Sequence, residues 1–238
     1  MSLTLIDYTA LVIFFTSWIG YTQFAKIKAK DTACISRCLH QHRLIWMRQI
    51  FDTDVRVSHA SLLANLERNV AFFASTTMLV LAGVLTLFSQ LESVRELLTR
   101  MTVAQEASNF AIQIKLCLLV LIFVLAFFQF TWSMRQYGFV NIMIGAAPVA
   151  FKTDKEHLIN YSVQMARVQD QAAHAYNYGL RSYYFSLSAL SWFFHPLMFL
   201  VSSLFVVYIL YRREFKSKAL KAIQQGVVDL SKEGYEFD

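Results

Sequence analysis

Four long stretches without a single Asp, Glu, Lys or Arg govern what this chain can become: Tyr8–Ala25, Asn69–Leu91, Leu116–Met134 and Ser182–Tyr211. A helix needs about 20 predominantly apolar residues to cross a hydrocarbon layer roughly 30 Å thick, because each residue rises about 1.5 Å. All four stretches meet that requirement. Their apolar residues run continuously instead of alternating, and they are too long for barrel strands, so helices are the spanning element. Composition agrees. Of 238 residues, 56% are hydrophobic and only 16% charged, with mean hydropathy +0.43. A chain of this length has too little interior to hide that much apolar surface from water. Disordered and collagen-like proteins are excluded, and a soluble enzyme is disfavoured.

The net charge of +6, from 22 Lys and Arg against 16 Asp and Glu, reads as topology and lipid contact. The basic residues flank apolar runs, where they are held on the cytoplasmic face and attract anionic lipid, so no nucleic-acid partner is expected. MSLTLID has no Lys or Arg before the first run. It lacks the basic region of a secretory signal, and the run is expected to stay as an anchor. Three cysteines make no disulfide framework, and Cys117, inside an apolar run, reads as a small buried hydrophobe.

Between the spans the pattern turns amphipathic. Residues 33–66 place Ile35, Leu39, Trp46 and Ile50 at helical spacing among Arg37, Arg43 and Arg48, a basic helix suited to headgroups or a partner. Asp52-Thr53-Asp54 marks a break, and Ser58–Asn69 feeds the second span. Glu92/Arg95 and Glu96/Arg100 predict a short surface helix. Residues 154–178 carry a stripe of Leu158, Tyr161, Met165, Val168 and Ala172 behind a Thr153/Glu156 capping box. Asp170 and His174 are spaced as a surface pair. The uncharged run 136–151 either prolongs the third helix, re-enters the bilayer or lies at its surface. The tail from Arg212 is expected to fray. With four spans, the side holding the two long loops carries 13 Lys/Arg against 9, which places those loops in the cytoplasm; a full crossing by 136–151 makes the split 15 to 7.

Candidate functional residues follow from helical periodicity. In the fourth run Arg181, Tyr184, Ser188, Ser191, His195 and Ser202 share one face, with His195 at the centre of the run. Pro196 lacks an N–H and clashes with the preceding turn, so it frees the carbonyl of Trp192. An ionisable group at that depth is a functional candidate; the plainer reading is a neutral His195 bonded to a neighbouring helix. Matching stripes are Asn65, Asn69, Thr76, Gly83, Thr86 and Gln90 in the second run and Lys115, Ile122, Gln129 and Gln136 in the third. Thr9, Thr16, Gly20 and Gln23 form that of the first. These faces are expected to turn inward, as pore lining between subunits or as packing glue within one. Cys34, Cys38 and His42 share a helix face and carry zinc-type ligands, but in no standard spacing, so no metal is assigned. No catalytic motif appears, and no cofactor is assigned. Trp18, Tyr21, Trp132 and Tyr137 lie near span ends, where such rings favour the interface.

The stretches RQIFDTDVRVSHASLLANLERNVAFFAST, FTWSMRQYGFVNIMIGAAP, GLRSYYFSLSALSWFFHPLMF and YRREFKSKALKA resemble a family of multi-pass membrane proteins of bacteria and plants, catalogued as a domain of unknown function. The resemblance runs from about Asp7 to Ala222. It implies a small polytopic inner-membrane protein and assigns no substrate, reaction or residue.

The sequence therefore predicts an all-α integral membrane bundle, one membrane domain over 1–238, with four spans and long amphipathic helices. A homo-oligomeric channel or transporter for a small ion or solute is the first functional expectation. His195 would be its central polar group, with Lys115 and Arg181 at the mouths. A scaffold that binds anionic lipid or partner proteins is the second, and a membrane enzyme or redox module at Cys34–His42 the third.

Overall fold

The computed structural model describes residues 3–52, 56–100, 108–148 and 154–234. Among them there are eight helices and no strand: α1 (Leu5–Asp31), α2 (Ile35–Asp52), α3 (Arg56–Phe88), α4 (Leu91–Arg100), α5 (Asn109–Gly145), α6 (Lys155–Ser191), α7 (Pro196–Lys216) and α8 (Lys218–Lys232). By length and composition four helices can cross a membrane: α1, α3, α5, and α7 with its continuation α8. The chain is an all-α polytopic membrane protein. It divides into two compact units, one of Met1–Lys28, Ala74–Phe128 and Tyr178–Tyr211, the other of Ala29–Phe73, Gln129–Asn177 and Arg212–Asp238.

In the first unit the core is an aromatic and aliphatic cluster. Phe14 of α1 packs edge-on against Phe185 of α6 and tilts against Phe199 of α7, while Trp192 stacks on Phe199 with ring centroids 5.0 Å apart. Large side chains also face outward, among them Val12, Leu79, Leu121 and Val201. An apolar core inside an apolar coat is the arrangement of helices whose solvent is lipid.

The fourth apolar run is not one helix. It is divided at Trp192–His195 into the end of α6 and the start of α7. The reason is Pro196. Helical hydrogen bonding ends with shortened bonds, Trp192 N–H to Ala189 O and Phe193 N–H to Leu190 O, before α7 begins. The chain then reverses, because Ser191 Oγ of α6 lies 2.8 Å from Ser202 Oγ of α7.

The second unit uses amphipathic helices. α2 packs against α8. The tail predicted to fray is helical, with Ser217 capping α8 by accepting the Leu220 N–H at 3.0 Å. Residues 136–145 prolong α5, one of the three alternatives for 136–151. α5 and α6 run antiparallel here, tied by Ser133 Oγ to Ala172 O (2.6 Å) and Tyr161 Oη to Met143 O (3.0 Å). Arg56, at the start of α3, donates to the carbonyls of Ala147 and Pro148, both at 2.9 Å, just beyond the end of α5. The predicted surface helix is α4, with Arg95 on Glu92 at 2.8 Å. Thr153 of the capping box and Thr53-Asp54 of the break lie outside the described residues.

Candidate functional site

The most built polar cluster of the first unit lies where α6 ends. Pro196 frees the Trp192 carbonyl, and Lys115 Nζ of α5 donates to it at 2.8 Å. A cation on a helix's last carbonyls also opposes the negative end of its dipole. The indole of the same tryptophan donates Nε1–H to Asp7 Oδ1 of α1 at 2.7 Å. The other oxygen of Asp7 closes a cap on α1, accepting from Thr4 N–H (2.8 Å) and Thr4 Oγ1 (2.7 Å). Asp7 and Lys115 are each 6% exposed, and Trp192 is fully buried. The ammonium lies over the Trp192 and Phe193 rings and attracts Asp7 electrostatically. Two opposite charges are thus joined through one tryptophan, each bonded to a different part of it. Such pairing is what permits charge inside a spanning bundle.

His195 is not a group in the middle of a spanning helix. It is the N-cap of α7: its carbonyl accepts the Phe199 N–H, and its Nδ1 accepts the Leu197 N–H at 3.1 Å. Pro196 takes the first helical position, where a missing N–H costs nothing. The bond that a neutral His195 was expected to make to a neighbouring helix is therefore made within its own turn. Nδ1 can accept only without a proton.

The remaining candidates scatter. Ser188 is buried and its Oγ has no hydrogen-bond partner. Ser191 bonds its own helix at Ser188 O and reaches Ser202. Arg181 stacks over Tyr21 (5.3 Å) and Tyr178 (5.4 Å). Thr76 is half-buried, whereas Asn69 and Gln129 belong to the second unit, Asn69 exposed and Gln129 half-buried. The expected inward turn of all polar faces fails for α1 and α3. Thr9, Thr16, Gly20 and Gln23 are exposed, as are Asn65, Asn69, Gly83, Thr86 and Gln90, because both helices bury a different, mainly apolar face. Among the described residues α5 and α6 bury several polar side chains each, Lys115, Ser133 and Gln136 on α5 and Ser182, Ser186 and Ser188 on α6, against one each on α1, α3 and α7 (Asp7, Thr77 and Ser203). Cys117 is exposed on its helix, against expectation, and Tyr21 and Tyr137 are buried.

In the second unit Asp170 of α6 is held by α2. Its carboxylate binds His40 Nδ1 and accepts from Arg43 Nη1 at 2.6 Å. Burial pushes its pKa up, but the His40 hydrogen bond and the Arg43 charge outweigh that and hold it below the usual aspartate range. Asp170, spaced from His174 as a surface pair in the sequence, is half-buried in this cluster, which also engages Arg43. Cys34 and Cys38 are buried, which raises both thiol pKa values. His42 donates Nε2–H to Ile223 O of α8 at 3.1 Å. Among the described residues no three His, Cys, Asp or Glu side chains are placed to hold a metal ion.

Nothing in the sequence singled out Asp7, which looked like the mere edge of a span. The only available signal was Thr4 three residues before it, a capping spacing.

A polytopic helical membrane protein is the class these features define. The chain belongs to the family described as protein of unknown function, DUF599, whose profile matches residues 9–219. No curated protein and no solved structure matches it.

Proposed function

We propose that the protein is a non-catalytic platform of the inner membrane, presenting the helices of its second unit to partner proteins or anionic lipid on the cytoplasmic side. The observation that carries this reading is how the first unit spends its polar groups. Lys115, Asp7, Ser191 and Arg181 are engaged with one another's helices, as a bundle lock uses them. The second unit carries 28 of the 38 charged side chains.

The sidedness rests on the course of the chain through the first unit. α1 and α6 run antiparallel there, since Asp7 meets Trp192 while Lys26 lies over Tyr178. α7 returns beside α1, with Lys28 bonded to Tyr211. Asn109 at the start of α5 meets Glu92 just after α3, so α3 and α5 are antiparallel too. The chain therefore leaves this unit at one end every time. In this reading the last part of α6 makes a fifth traverse beside the four apolar helices, and in the sequence it is merged with α7 in one uncharged run. Segments 29–73, 129–177 and 212–238 carry 16 of the 22 Lys and Arg, which supports the cytoplasmic side for them in this reading.

A second reading, conduction of a small ion or solute between copies in a homo-oligomer, is favoured by the outward polar stripes of α1 and α3. One experiment separates the two. Photo-crosslinkers are placed at Arg167 and Lys221 of the second unit and at Leu204 in native membranes, alongside flux assays on the reconstituted chain. Discrete adducts to other proteins or to lipid from Arg167 and Lys221, with flux at the level of empty vesicles, are expected. Flux above that level, lost in Thr16→Leu or Gly83→Leu, overturns the platform in favour of conduction.

A further inference from the structure

We propose that the groove between α1 and α7 seats an anionic phospholipid, its acyl chain along the helices and its phosphate at Lys28. The groove encloses about 400 Å³ and is lined by Ser17, Tyr21 and Phe24 of α1 and by Leu204, Tyr208 and Tyr211 of α7, among others. Phe24, Leu204 and Tyr208 are each about half exposed. The groove thus opens outward from two helices that meet the requirement for crossing a bilayer, and the medium that fills it there is lipid.

Its mouth is cationic. Lys28 Nζ donates to Tyr211 Oη at 2.8 Å and lies 4.6 Å from the centre of the Tyr211 ring and 5.4 Å from that of Phe24. Lys26 and Arg181 at the same end of the first unit are held over Tyr178. Lysine stems and tyrosine rings with their polar tips at one level are the pattern of the headgroup region. A headgroup phosphate there meets the Lys28 ammonium and a phenol, while the tail below meets almost only carbon. A second groove, lined by Ser191, Leu197, Met198, Val201, Ser202 and Phe205, is similar in size at about 410 Å³; neither lining includes a charged side chain, but the rings of Phe24 and Tyr211 in the first carry Lys28, and among the described contacts no cation lies against the residues of the second. It gives a lipid no reason to be anionic. The site does not depend on the platform reading, because every residue lining it belongs to the first unit.

The test measures lipid retained by the full chain in native mass spectrometry, after exchange into detergent with equal phosphatidylglycerol and phosphatidylcholine. Preferential retention of the anionic lipid is expected. Lys28→Gln should lower that preference about fivefold, with Lys28→Arg retaining it and Arg95→Gln, at the opposite end of the first unit, leaving it unchanged. Ser17→Phe, which fills the groove without altering charge, should lose both lipids. Equal retention of the two lipids by the unaltered chain overturns the proposal. So does displacement by soluble glycerol phosphate as effective as by whole lipid, which marks a free-phosphate site. Undiminished retention by Ser17→Phe overturns it as well.

Discussion

Nearly equal lengths of chain build two units that treat charge in opposite ways. The first carries 10 of the 38 charged side chains and one of the six histidines; the second carries 28 and five. Among the first unit's described residues outside the exposed helix α4, charge is either buried, as at Asp7 and Lys115, or laid over tyrosine rings, as at Lys26, Lys28 and Arg181. In the second, most charge faces outward, and one half-buried cluster ties α2 to α6 through Asp170. The difference follows from what replaces a broken bond. A buried ion in an apolar bundle has no water to turn to, whereas Asp170 sits in a unit whose surface is polar.

The sharpest way to break that comparison is to remove one partner from each cluster. Lys115→Met leaves the Asp7 carboxylate buried without its cation and leaves the Trp192 carbonyl bare. The expected loss is about 3–5 kcal/mol, the range for half of a buried pair. Thermal unfolding of the detergent-solubilised chain measures it. Adding Asp7→Leu to Lys115→Met should restore part of the loss, since no charge then remains to be compensated. If Lys115→Met costs under about 1 kcal/mol, water reaches the cluster and the contrast between the units falls.

Asp170→Asn is the matching change in the second unit, and about 1.5–3 kcal/mol is expected, the range for hydrogen bonds to a charged group. Its pH dependence has a definite sign. The folded-state pKa lies below the ordinary aspartate value of about 3.9. The contribution is therefore complete above that value and is lost as pH falls through the lower folded-state value. Hydrogen exchange in α2 and α6 should accelerate only on acidification below about pH 4, and Asp170→Asn should abolish that acid limb. An unchanged acid limb in the variant would assign it to other carboxylates.

How far these clusters could be read beforehand varies with the kind of information each needs. Pro196 alone dictates that the Trp192 carbonyl is freed. What fills the vacancy is Lys115, 77 residues away, and periodicity carries no information on which helices meet. Similarly, the spacing of Thr9, Thr16 and Gly20 places them on one face of α1 without fixing which way that face turns. Hydropathy found α1, α3 and α5 because their lipid-facing sides are apolar. It merged the end of α6 with α7 because 30 uncharged residues look alike whether straight or folded back at Trp192–His195. The Cys34, Cys38 and His42 face was legible, but the carbonyl of Ile223 that occupies His42 comes from a tail helix expected to fray.

The smallest expected effect sharpens the reading of His195. As the N-cap of α7 it satisfies one backbone donor, Leu197 N–H, and a cap of this kind contributes about 1 kcal/mol. His195→Ala should lower the unfolding midpoint by roughly 2–4 °C for a chain of this size. His195→Asn and His195→Ser, whose side-chain oxygens accept the same N–H, should recover most of that loss. A proton- or ion-relaying histidine predicts the opposite pattern. Neither Asn nor Ser can exchange a proton near neutral pH, so both would fail alongside Ala in a flux assay while the midpoint barely moved. Rescue of the midpoint by Asn therefore separates a side chain that ends one helix and starts the next from one that serves a path through the bilayer.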